Sequence, residues 1–164
     1  MPKSVFVIML LLSTHFSFAQ TGEIVKLLNE HFEFEQGFYD EYETTKPVLV
    51  SPFKVQNDTL TFEHKAVYDD PNKIMFIKRA VHLKDINAFV KDKNVIFIAK
   101  KKAVKETQII KNQKGDIIET TSHFTDLFFT ELHKNPDDNY TLRKPILEAF
   151  EIAGYPISSD YWYN

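Results

Sequence analysis

Residues 74–100 read IMFIKRAVHLKDINAFVKDKNVIFIAK, and this stretch decides the fold. It opens on an apolar run and breaks at Leu83-Lys84-Asp85-Ile86. It turns at Lys91-Asp92-Lys93-Asn94 and closes on a second apolar run. Apolar runs of strand length, bounded by polar turns, predict adjacent strands of one meandering sheet.

The flanking segments extend that reading. Residues 59–68 alternate, with Leu60, Phe62, His64, Ala66 and Tyr68 on one face and Thr61, Glu63 and Lys65 on the other. A period of two with one polar face marks a half-buried antiparallel strand. Residues 52–56 lead into the turn pair Asn57-Asp58. Strands are also expected over 74–83, 86–90, 94–100, 104–110, 117–124 and 126–132. In the 74–83 strand, Met75, Ile77, Val81 and Leu83 share one side. Residues 112–116 (NQKGD) join two strands as a hairpin, with Gly115 where a positive φ is needed.

Helices flank the strands. Thr21 can cap a helix whose apolar residues Ile24, Val25, Leu27, Leu28, His31 and Phe32 fall on one face. Leu142, Ile146, Ala149, Phe150 and Ala153 line one face of a second helix over 142–153. Pro145 fits its first turn, Gly154 its left-handed end, and Pro156 stops it. Residues 34–50 are acidic and aromatic, and their pattern does not choose between helix and irregular chain. The fold class expected is mainly β with flanking helices. It is a partly open antiparallel barrel of about seven strands, capped by the C-terminal helix and preceded by an N-terminal one.

Residues 1–19 predict a signal peptide. Lys3 gives the positive start, residues 5–12 (VFVIMLLL) the apolar stretch, and Ser17-Phe18-Ala19 the small-residue cleavage site. The apolar run is shorter than the roughly 20 residues a spanning helix needs. Residues 20–164 are then a single exported domain, periplasmic or secreted, with no integral span. The formal charge of -3 argues against a nucleic-acid partner. The absence of cysteine excludes disulfides, thiol catalysis and thiolate metal sites. No cofactor is implied.

The order of strands, the HLKDI break followed by DKNVIFIAKKKAV, and the closing LRKPILEAFEIAGY helix resemble pleckstrin-homology-like domains, of the kind found in small exported bacterial proteins. The resemblance spans roughly residues 51–155. It implies a curved, partly open barrel with the helix plugging one end, and a binding or adaptor role more than catalysis. Phosphoinositide-binding members cluster basic residues in the first strand-to-strand loop. Here that loop is Gln56-Asn57-Asp58-Thr59 with only Lys54 nearby, which speaks against such a ligand.

Each candidate site residue has a plain structural role beside its chemical one. His31, Glu33 and Glu35 would share a face if extended, as a metal site needs. The simpler account puts His31 on the helix stripe and both glutamates in solvent. His64 lies on the apolar side of its strand and reads as a buried structural histidine. His64, His82 or His123 with loop acids could make a small extracytoplasmic hydrolase, but no G-x-S-x-G elbow is present. Asp69-Asp70 and Asp137-Asp138 read as polar turns, not calcium loops. Lys100, Lys101, Lys102 and Lys105 form the one basic run. It suits either strand-edge protection or an anionic partner. Tyr155, Tyr161, Trp162 and Tyr163 could stack on a sugar or cover a partner, or simply seal the core. The reading is a non-enzymatic binding domain with Tyr155, Tyr161, Trp162, Tyr163, Lys100 and Lys102 as its ligand residues. Its partner would be an envelope or extracellular protein or glycan. A carrier with a Phe-lined cavity is the remaining alternative.

Overall fold

The computed structural model describes residues 21–40, 46–66 and 73–163, with His123 and Phe124 by backbone only. The expected leader, Asp69-Asp70 and the end of the 59–68 strand lie outside the described residues.

The chain is mainly β, with a helix at each end. Helix α1 covers residues 21–35 and runs into a single 3-10 turn at Gln36–Phe38. Among the described residues eight strands follow: β1 Val48–Gln56, β2 Thr59–Ala66, β3 Lys73–His82, β4 Ile86–Asp92, β5 Asn94–Ala99, β6 Val104–Asn112, β7 Ile117–Thr125 and β8 Leu127–Phe129. Helix α2 is Tyr140–Ile152. The strands form two antiparallel sheets, ordered β1-β2-β3-β6-β7 and β4-β5-β8, and neither closes into a barrel.

This partition corrects the single meander read from residues 74–100. A 3-10 turn at Leu83–Asp85 lifts the chain out of the first sheet, capped by the His82 ring accepting from the Lys84 N–H. The Leu83 N–H donates to Asp58 O at 2.8 Å, which ties that exit to the β1–β2 turn. β4 and β5 then pair as a hairpin in the second sheet. The chain returns through Lys100–Lys102, with Lys102 at φ 61, and β6 pairs with β3 across the excursion. The last expected strand is also shorter than 126–132, because Glu131 turns left-handed at φ 63 just beyond β8.

Aromatic contacts run through the core. Phe53 stacks on Phe62 with centroids 4.5 Å apart, Phe62 meets Phe128 at 5.5 Å, and Phe97 meets Phe150 of α2 at 5.4 Å. Ile24, Leu28 and Phe32 of α1 and Leu142, Ile146 and Phe150 of α2 are buried in the same cluster. The second sheet also buries its other face through Ala88, Val90 and Ile96. Burial on both faces is why β4 and β5 read as unbroken apolar runs.

Helix α2 starts two residues before the expected Leu142, so Pro145 lies beyond the first turn. Asp137 makes the earlier start possible. Its carboxylate accepts from the N–H groups of Asn139 and Thr141 and from the Thr141 hydroxyl. Burial works to raise the Asp137 pKa, but those hydrogen bonds hold it below the usual value.

Candidate functional site

The expected ligand residues do not converge. Past α2 the chain runs parallel to β4, bridging Ser158 to Ala88 and Trp162 to Lys91. Trp162 is buried against Phe89 at 5.4 Å, with its ring N–H donated to Asp138 O at 2.9 Å and the Arg143 guanidinium over its face. Tyr161 and Tyr163 stack on each other at 5.3 Å, and Tyr163 is exposed. Lys91 is buried beneath this tail, with its ammonium 3.4 Å from Asp138 Oδ1. Lys100 lies at the opposite end of the β4–β5 pair, donating to Asp85 Oδ1 at 3.0 Å and to Lys84 O at 3.1 Å. That hydrogen bond holds the Asp85 pKa low. Tyr155 hydrogen-bonds Asp58, and burial, then Asp58, raises its pKa. Lys102 is exposed at the turn.

The histidines and acids sort differently from the expectation. α1 stays helical through Glu35, so Glu33 leaves the face that His31 and Glu35, one turn apart, share. Glu35 is not solvated: it is buried, and accepts from the backbone N–H groups of His133 at 2.8 Å and Lys134 at 3.0 Å. His64 is buried as read, stacked on Phe62 at 5.4 Å. Between the two sheets it meets a charge cluster that sequence reasoning missed. Arg79, buried on the inward side of β3, donates to Glu106 Oε2 at 2.8 Å, to Glu131 and to Phe129 O at 3.0 Å. His64 Nε2 lies 3.8 Å from Glu131. Burial lowers the His64 pKa, against the pull of Glu131 and with the help of Arg79. Burial would raise the Glu106 pKa, but hydrogen bonds from Gln108 and Arg79 bring it below the usual value. Arg79 thus ties β3 to β6 and to the end of β8.

The outer face of the five-stranded sheet is a better candidate. Directly paired residues of antiparallel strands share a face, so the register gives its rungs. One rung runs Lys54, Thr61, Ala80, Lys105, and the next Ser51, Glu63, Lys78, Thr107, Thr121. A third runs Val48, Lys65, Phe76, Ile109, Glu119, and Ile74, Lys111 and Ile117 follow. Five lysines stand against two glutamates, a surplus of three positive charges on a chain whose formal charge is -3. A depression of about 470 Å³ opens on this face, lined among others by Thr61, Glu63, Lys78, Lys105, Thr107 and Glu119. Among the described residues none of those four charged groups is held in an ion pair or side-chain hydrogen bond, although Glu63 and Lys78 are register neighbours.

Lys105 belongs to the basic run noted in the sequence, and the alternation of residues 59–65 had put Glu63 and Lys65 on the polar face. Lys78 gives no such signal, because its apolar neighbours alone set the strand pattern of residues 74–83. Comparison of the chain with protein-family models, with curated proteins and with solved structures finds no match.

Proposed function

We propose that this chain is an exported, non-enzymatic binding domain that holds its ligand on the outer face of the five-stranded sheet. One observation carries the reading: a depression lined by Glu63, Lys78, Lys105 and Glu119, two charges of each sign, none of them held in an ion pair or side-chain hydrogen bond among the described residues. Charged groups left unpaired in a concavity are set to exchange water for a ligand's groups. The rungs of this face carry no histidine, and Arg79, His64 and both of their glutamates are turned to the inter-sheet side. Export is supported by the leader-like composition of residues 1–19. Kinship with pleckstrin-homology-like modules rests on the sequence pattern of residues 51–155 alone.

Backbone NMR with added ligand tests the reading. Oligogalacturonate, a neutral oligosaccharide and an acidic peptide are titrated separately. The expected result is shifts at Thr61, Lys78, Lys105 and Thr107 with at least one probe, and no turnover of that probe. Shifts confined to residues 155–163 would move the site to the aromatic tail.

A further inference from the structure

We infer that the occupant of this face is an acidic polysaccharide lying diagonally across β6, β3 and β2; the inference rests on the binding face proposed above. Lys105, Lys78 and Lys65 fall on successive rungs and on successive strands. One step along that diagonal crosses one strand spacing, about 4.8 Å, and two residues of rise, about 6.7 Å, so the three positions stand roughly 8 Å apart in a row. The chain places no acid on the row itself. Glu63 and Glu119 flank it, one rung neighbour to Lys78 and the other on the rung of Lys65.

That layout selects among polyanions. A row of ammonium groups at a repeated spacing suits a linear polymer bearing anions at intervals. Carboxylates beside the row would repel a backbone charged at every link, but accept hydrogen bonds from hydroxyls lying between the anions. Thr61 beside the row adds a hydroxyl of the same use. A single-stranded nucleic acid reader needs stacking aromatics. The one ring on these rungs, Phe76, lies under the Lys111 ammonium at 5.0 Å. A lipid surface would be met by apolar side chains ringed by lysine, whereas the middle of this face is Glu63, Lys78 and Thr107. Sugar units carrying both carboxylates and hydroxyls fit each of these features.

Binding of the full chain to polygalacturonate at low salt tests it. Neutral dextran, a dT oligonucleotide and phosphatidylglycerol vesicles serve as competing probes. Lys65→Gln, Lys78→Gln and Lys105→Gln are combined in one variant. Lys26→Gln, Lys101→Gln and Lys144→Gln, the same charge change elsewhere, form the control, and thermal melts confirm that both fold. Polygalacturonate should bind, weaken with salt, and lose about tenfold or more in affinity in the diagonal variant against less than about twofold in the control. Glu63→Ala should weaken binding in spite of the added positive charge, since a hydroxyl acceptor is lost. Failure of polygalacturonate to bind, equal losses in both variants, or stronger binding by Glu63→Ala overturns the inference. Oligonucleotide or vesicle binding that beats polygalacturonate and vanishes in the diagonal variant replaces the ligand class but keeps the face. If no probe responds to the diagonal variant, the face falls too.

Discussion

Arg79 is the residue on which the joint between the sheets depends. It sits at an inward position between Ile77 and Val81, where alternation calls for an apolar side chain. A charge there is stable only with partners, and the sequence cannot name them: Glu106 is 27 residues away and Glu131 is 52. Such a residue advertises a buried network while hiding its other half. Removing one member of a buried ion pair leaves the others uncompensated, at a cost of about 3–5 kcal/mol. Arg79→Ala should therefore lower urea stability by about that amount, since it leaves two glutamates facing His64. An unchanged denaturation midpoint would remove the clasp from the account. Glu131 allows a sharper comparison, because its backbone is left-handed at φ 63. A side chain there costs roughly 1–2 kcal/mol that glycine escapes. Glu131→Ala and Glu131→Gly lose the same carboxylate, yet the glycine variant should be the more stable of the two. The reverse order in a urea melt would contradict the strained turn.

At the scale of elements, α1 and the tail both work by covering strand edges. Asn29 stands in for a missing strand. Its amide donates to Phe53 O and accepts from the Phe53 N–H, both at 2.9 Å. An exposed edge invites pairing with another chain, and a helix that answers its backbone groups blunts that edge. Asn29→Ala should cost about 1–3 kcal/mol by leaving two backbone groups without partners, and amide exchange at Phe53 should speed up with it. Exchange at Phe53 matching the parent would show that the helix does not hold the edge. The amphipathic stripe of α1 was legible in its spacing, but this amide was not, because an asparagine beside the stripe looks like any solvated side chain. The turn glycines were legible for a stronger reason: Gly115 at φ 87 and Gly154 at φ 82 use a conformation that few other residues tolerate. Proline normally marks a first turn, but α2 begins well before Pro145 because the Asp137 carboxylate holds its start.

For the whole molecule, strands and their inward faces were written in the residues, and pairing was not. Alternation in β2 named Leu60, Phe62 and His64 as inward, and all three are buried. Nothing in β3 says that its partner is β6 and not the nearer β4. That choice is made by the capped turn at Leu83–Asp85 and by the return through Lys102. The binding face was half legible for the same reason: each strand shows its lysines, but the diagonal exists only once the strands are set side by side. The sheets so assembled bury groups that acid must charge, which fixes the sign of the pH response. Burial lowers the pKa of His64 and of His31 from the ordinary 6.5. As pH falls below about 6.5 the unfolded chain takes up these protons before the folded one, so stability is whole above that value and is lost beneath it. Glu106 and Asp137, held below the ordinary 4.5 and 3.8, act in the same direction at lower pH. The urea midpoint should thus drop between about pH 7.5 and about pH 5.5, ahead of any carboxylate titration. His64→Phe keeps a ring against Phe62 but cannot take up a proton, so its midpoint should fall less over that interval, the remainder belonging to His31. A parent midpoint that holds steady or rises on acidification, or a His64→Phe slope identical to the parent's, would show that the histidine between the sheets is free to charge.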